Sequence, residues 1–319
     1  MKALILKDQL QLREIANPQA RDNQALIRVS VAGICNTDLE IVKGYMGFHG
    51  VLGHEFVGIV QEAPTAEWVG ARVCGEINLG CGSCDYCLKG LSRHCPNRTV
   101  LGILNHPGAF AEYLTLPLVN LHRIPETIPD RTAVFVEPLA AALEILEQLH
   151  IQPDWSVAVI GDGKLGLLIC QVLKLTGCDL VLIGKHARKC ALAEKWGVPA
   201  RLVGDLTDEK FDVVVEASGS ASGFATAMQV VRPRGTIVLK STYHGHLEMD
   251  AAPIVINEIR ILGSRCGPFD AAIRVLANQQ VEVESLVEAT YPFEQALKAF
   301  EHAREKGTLK ILLNIGNSR

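Results

Sequence analysis

From residue 25 to 34 the segment ALIRVSVAGI alternates, with Leu26, Arg28 and Ser30 on one side of a pleat and Ile27, Val29 and Val31 on the other. FVGIVQEA (56–63), ARVCGEI (71–77) and AEYLTLP (111–117) repeat the pattern in short runs between glycines and prolines, so the first 125 residues are expected to be β structure. The texture changes at Pro138. PLAAALEILEQLH has helical spacing, and proline fits a first helical position. Apolar strand-length runs then alternate with amphipathic helical ones. The strands are WSVAVIG (155–161), CDLVLIG (178–184), FDVVVEASG (211–219) and TIVLKS (236–241). The helices are KLGLLICQVLKLTG (164–177), HARKCALAEKWG (186–197) and GFATAMQVVRPRG (223–235). Such alternation predicts a parallel sheet with crossover helices. Another helix, FEQALKAFEHAREKG (293–307), falls among the last residues, and no internal repeat interrupts the series.

Composition narrows the classes. Of 319 residues, 48% are hydrophobic, enough for one large domain or two ordinary ones. The net charge of -4 argues against nucleic acid as the main partner, since phosphate binding needs a basic surface. MKALILKDQLQLREI carries no apolar stretch of signal or membrane-span length, so a cytoplasmic protein without membrane association is expected. Ten cysteines in that compartment point to metal or catalysis rather than disulfides. Four of them, Cys81, Cys84, Cys87 and Cys95, stand at C-x2-C-x2-C-x7-C spacing in CGSCDYCLKGLSRHC. This spacing fits one structural zinc, with an iron–sulfur cluster as the lesser alternative. Four thiolates leave no open coordination position, so chemistry has to lie elsewhere.

VAVIGDGKLG places Gly161, Gly163 and Gly166 as G-x-G-x-x-G between a strand and a helix, the context of a dinucleotide loop. Gly161 permits the tight turn, Gly163 lets a pyrophosphate approach the backbone, and Gly166 lets helix and strand lie close. Lys164 and Leu165 within the loop, and Ser218 near the end of the strand at 211–219, are counted with this site. The second strand should end in a carboxylate for the ribose 2′-hydroxyl. It ends instead in Gly184, followed by Lys185, His186 and Arg188. Glycine leaves room for a 2′-phosphate, and the cations could pair with it, so NADP is expected over NAD.

Upstream, Cys35 in GICNTDLE and His54 with Glu55 in VLGHEFVGIV offer a soft, a borderline and a hard metal ligand. Glu137 is either a further ligand or simply a carboxylate favoured at a helix N-terminus. CNTD, GHEFVGIV, the four-cysteine segment, GAFAEY, VEPLAAAL, VIGDGKLG, DVVVEASG and RPRGTIVL follow one another in an order that resembles the zinc-dependent medium-chain dehydrogenase/reductases. The motifs lie nearest to the polyol, threonine and glucose dehydrogenase branches.

The resemblance implies a GroES-like, mainly β catalytic domain (1–138 and 266–319) interrupted by a Rossmann domain (139–265). It implies two zinc ions per chain. Cys35, His54 and Glu137 would hold the catalytic one, with Glu55 an exchangeable ligand and Asp38 orienting His54. Thr37 would take the substrate's hydroxyl proton, and Glu40 stands where several relatives carry the histidine that ends the relay. The expected activity is hydride transfer between NADP(H) and a secondary alcohol, polyol or sugar hydroxyl, or the corresponding carbonyl. A homodimer or homotetramer is expected through IRIL (259–262), a sheet-edge strand in this family. Two alternatives stay open: an NAD-dependent alcohol or polyol dehydrogenase, and a non-catalytic nucleotide-binding protein on the same fold.

Overall fold

The computed structural model describes residues 1–241 and 247–316. Contacts group the chain into two compact units. One is Met1–Glu137 with Ala272–Asn278 and Leu286–Arg319; the other is Pro138–Ala271 with Gln279–Ser285. Among the described residues, no helix is long and apolar enough to cross a membrane.

The first unit is built around the strand Gln24–Ile34, which pairs antiparallel with Glu55–Glu62 on one side and Lys310–Asn314 on the other. Tyr113–Pro117 pairs with its first half. Arg72–Gly75 and Leu121–Arg123 continue the sheet beyond Glu55–Glu62, and Val287–Pro292 lies parallel to Lys310–Asn314. Alternation holds at the start of the central strand, where Ile27 is buried and Leu26 and Arg28 are half-buried. It ends where the register shifts between Val29 and Val31, and every residue from Val29 to Ile34 is buried. A bulge inserts one residue and so resets which face each later side chain takes. The N-terminal segment forms a hairpin, Lys2–Leu6 with Leu10–Glu14. Short strands at Asn78–Leu79, Thr99–Leu101 and Asn105–His106 form the small sheet of the four-cysteine lobe.

The second unit holds a six-stranded parallel sheet. Its order in space is Ala200–Leu202, Asp179–Gly184, Ser156–Ile160, Phe211–Glu216, Val231–Leu239 and Arg260–Gly263. In chain order that is 3-2-1-4-5-6, the doubly wound arrangement whose strand order reverses beside the first strand. The glycine loop follows that first strand. The helix Lys164–Lys174 buries every residue from Gly166 to Leu173, because its long apolar run is packed rather than half-exposed.

The helix expected over 223–235 is shorter. It spans Ala221–Val230, and the strand Val231–Leu239 begins at once. Pro233 cannot continue a helical hydrogen-bond ladder. Arg234 takes a φ of 60°, and the pairing jumps from Phe211↔Val231 to Val213↔Thr236. The Arg-Pro-Arg-Gly stretch is therefore a bulge within a strand.

Candidate functional site

Cys35 directly follows the central strand and caps the helix Asn36–Val42. The Cys35 backbone amide donates to Asp38 Oδ2 at 2.8 Å, and Thr37 Oγ1 lies 3.6 Å from Cys35 Sγ. The other carboxylate oxygen of the fully buried Asp38 stands 3.3 Å from His54 Nδ1. That contact leaves His54 Nε2 to face the cluster, and Cys35, His54 and Glu55 each bring a ligand atom within 4.8 Å of the others. Burial opposes charging of His54, but Asp38 and Cys35 outweigh it and hold the imidazole well above its ordinary pKa. Asp38 Oδ1, His54 Nδ1 and Glu55 Oε1 are buried without a hydrogen-bond partner. Asp38 Oδ1 and His54 Nδ1 face each other, whereas the unpartnered Glu55 oxygen, beside a thiol and an imidazole, fits a bound cation.

Glu55 opens its strand opposite Gly33, and a Cβ at Gly33 would stand 2.4 Å from Glu55 Oε2. That oxygen is paired with the ammonium of Lys310, itself buried over the Phe135 ring at 5.6 Å. Sequence reasoning missed Lys310. The available signal was a single lysine in the otherwise apolar run LKILL. Glu137 lies outside the close trio, in the first turn of the helix Val136–Gln148. Burial pushes its carboxyl up to about 7, with His54 opposing and Glu55 adding to the rise. Glu40, further along the helix from Cys35, is ion-paired with Lys43 at 2.7 Å.

Cys81, Cys84, Cys87 and Cys95 converge in the lobe, and none forms a disulfide. Cys84 Sγ is 3.6 Å from that of Cys87 and 3.7 Å from that of Cys95. Four sulfurs at the zinc–thiolate bond length in a tetrahedron lie about 3.8 Å apart, so the cage has zinc's dimensions. Amides around Ser83 pull the Cys81 thiol down to about 6, whereas burial pushes Cys87 up to about 11.

In the second unit Gly161 has a φ of 116°, and a Cβ there would meet Ala217 backbone at 2.7 Å. A Cβ at Gly166 would stand 1.8 Å from the Gly161 carbonyl oxygen. Gly163 faces open space and caps the helix Lys164–Lys174 without a side-chain hydrogen bond. Lys164 and Leu165 are the half-buried first residues of that helix. An uncapped helix N-terminus beside an open glycine suits a pyrophosphate. Ser218 hydrogen-bonds the buried Glu216 carboxylate and lies 2.9 Å from the Ser220 hydroxyl.

Gly184 is buried at the end of its strand, and Lys185, His186 and Arg188 are exposed. Asp162, the residue between Gly161 and Gly163, is buried against them. Its Oδ2 accepts from the Lys185 amide at 2.8 Å and the His186 amide at 2.6 Å. The His186 ring lies 3.0 Å away and the buried Lys189 ammonium 3.9 Å. Burial alone would raise the Asp162 carboxyl, but these donors and cations hold it below its ordinary value.

The alcohol dehydrogenase GroES-like domain model matches residues 21–126, and the zinc-binding dehydrogenase model matches residues 165–278. An L-threonine 3-dehydrogenase of Chelativorans sp. (strain BNC1) is 32% identical, across 82% of this chain and 83% of its own. The chain belongs to the zinc-dependent medium-chain dehydrogenase family. Its fold is accordingly a GroES-like domain joined to a Rossmann domain. Within this family the D-arabitol-phosphate dehydrogenase of Enterococcus avium is 29% identical over 96% of this chain and 94% of that one. Among solved structures, a short chain alcohol dehydrogenase of Escherichia coli CFT073 complexed with NADH superposes with a TM-score of 0.91, at 26% identity and 99% coverage of both chains. A zinc-binding dehydrogenase of Sinorhizobium meliloti 1021 bound to NADP superposes with a TM-score of 0.88, at 28% identity over 98% of this chain and 99% of its own. The protein is thus an oxidoreductase of the alcohol and polyol dehydrogenase kind.

Proposed function

We propose that this dehydrogenase oxidises a secondary alcohol, a polyol or a sugar hydroxyl, or reduces the corresponding carbonyl, with a nicotinamide dinucleotide as hydride partner. The observation that carries this reading is the trio Cys35, His54 and Glu55, with the buried Glu55 Oε1 left without a hydrogen-bond partner, next to the Thr37 hydroxyl. Cys35 Sγ, His54 Nε2 and the Glu137 carboxylate would hold zinc there, and Glu55 is the exchangeable fourth ligand. Zinc at such a site lowers the pKa of a bound hydroxyl, as it lowers that of water from about 15.7 to about 7. Asp38 fixes the imidazole's tautomer through Nδ1. Thr37 Oγ1 takes the substrate's proton and passes it on, and Glu40 delivers it to solvent. Cys81, Cys84, Cys87 and Cys95 hold a second, structural zinc.

The glycine loop and the uncapped amides of Lys164–Lys174 bind the pyrophosphate, with Ser218 beside them. Gly184, Lys185, His186 and Arg188 favour NADP on sequence grounds, and the Asp162 carboxylate stands beside them. A screen of alcohols, polyols and aldoses in both directions, followed by the absorbance of reduced cofactor, tests the activity. Turnover that disappears in Cys35→Ser and His54→Ala, with lobe zinc retained, is the expected result. Turnover undiminished in both variants would overturn the assignment of the site.

A further inference from the structure

The expectation of NADP rests on space at Gly184 and on donors beyond it. The structure fills that space from another direction. A Cβ at Gly184 would stand 2.9 Å from Asp162 Oδ2 and 2.7 Å from Cys190 Sγ. The two amides that follow the strand, those of Lys185 and His186, are both taken by the same Asp162 oxygen. The buried Lys189 and the His186 ring face this carboxylate as well. Lys185 Nζ lies 3.4 Å from Ser222 Oγ at the surface.

We propose that Asp162 selects the cofactor. Its carboxylate, supplied from the glycine loop instead of the second strand's end, takes the place beside the adenosine ribose and excludes a 2′-phosphate, so the protein uses NAD. The inference rests on the reading of this unit as a nicotinamide-dinucleotide site, and it reverses the cofactor expected from Gly184 and its basic neighbours.

A ribose 2′-hydroxyl donates a hydrogen bond, and a carboxylate oxygen has lone pairs to spare beyond the amides it already accepts from. A 2′-phosphate is a dianion with acceptors only, so it needs free donors. At this strand end the nearest donors already hold an anion. Phosphate would have to displace a buried carboxylate or stand beside it, and like charges at such a distance repel. Gly184 is thereby explained: it is the position that the Asp162 side chain leans over. Loop aspartate and strand-end glycine form a swapped pair, with the acid moved from one element to its neighbour.

The test is equilibrium binding, followed by fluorescence, of NADH and NADPH to the wild-type protein and to Asp162→Asn. Asparagine keeps an acceptor oxygen for the Lys185 and His186 amides and removes the charge. Wild type should bind NADH about tenfold or more tighter than NADPH. In Asp162→Asn the ratio should shrink by about fivefold or more, mainly because NADPH binds better. Asp162→Ser, read the same way, decides if the first variant does not fold, and the wild-type ratio decides by itself if neither does. Wild type binding NADPH as tightly as NADH overturns the proposal. So does an unchanged ratio in a folded variant. Binding of neither cofactor overturns the dinucleotide reading beneath it as well.

Discussion

At the scale of single residues, proton transfer sets the sharpest expectations. A substrate hydroxyl beside Cys35 loses its proton readily only if the proton has a path, and Thr37 Oγ1 is 3.6 Å from Cys35 Sγ. Thr37→Val keeps the shape and removes the hydroxyl. Turnover should fall roughly 10²–10⁴-fold, the usual size of lost proton transfer, with metal content unchanged. A smaller fall would take Thr37 off the path. Glu40 pairs with Lys43 and is partly exposed, so Glu40→Gln breaks an ion pair worth about 1 kcal/mol or less. The expected outcome is a modest loss of turnover and a displaced acid limb of the pH–rate profile, with an unfolding midpoint close to wild type. An unchanged pH profile would show that Thr37 hands its proton straight to water. Cys35, His54 and Glu55 are legible in the sequence because each stands in a short motif. Asp162 and Lys310 are not. Asp162 sits in a motif slot that usually carries no information, and its meaning appears only when the amides of Lys185 and His186 fold over it. Lys310 meets Glu55 across 255 positions of chain, which no local pattern can announce.

Among elements, one buried pair ties two strands together. Glu55 begins Glu55–Glu62 and Lys310 begins Lys310–Asn314, and both strands flank Gln24–Ile34. Their ion pair passes over Gly33, where a side chain would strike it. Lys310→Met leaves the Glu55 carboxylate buried and uncompensated. In metal-depleted protein, denaturant unfolding should show a loss of about 3–5 kcal/mol, the usual cost of breaking a buried pair from one side. Gly33→Ala should also destabilise, whereas Lys310→Arg retains the charge and should lose less. An unaltered midpoint in Lys310→Met would mean that Glu55 finds another partner. The same sheet shows what periodicity conveys and where it stops. Alternation marks 25–28 correctly, then the bulge at Val29–Val31 turns it into a continuous buried run. In the parallel sheet, the apolar runs at 155–161, 178–184 and 211–219 are legible as strands because both faces are buried. The stretch 231–235 is misread as helix because a bulge with Pro233 and a positive-φ Arg234 carries no period at all.

On the scale of the whole molecule, two metals and one association surface are at issue. Four cysteines would close the coordination sphere of one ion, while the proposed site at Cys35 would keep an exchangeable carboxylate, so chelators should strip the second first. Elemental analysis of active protein should give two zinc ions per chain, and mild chelation should abolish turnover before it unfolds the lobe. One ion in fully active protein would remove this assignment. Association follows from the edge of the parallel sheet. Arg260–Gly263 pairs with Val231–Leu239 on one side and, among the described residues, with no strand on the other. Ile261 is 39% exposed there, and Val255 and Ile256 on the preceding helix are 75% and 77% exposed. An open strand edge next to exposed branched apolar side chains invites pairing with another chain unless something covers it. A second copy related by a two-fold axis would extend the sheet and cover all three residues at once, which closes the assembly rather than propagating it. Sedimentation equilibrium should therefore show a dimer or a dimer of dimers at micromolar concentration. Ile261→Glu should shift the population toward monomer, because a charge on the edge faces its own copy across the axis. A wild-type protein that sediments only as monomer would leave the edge without this role.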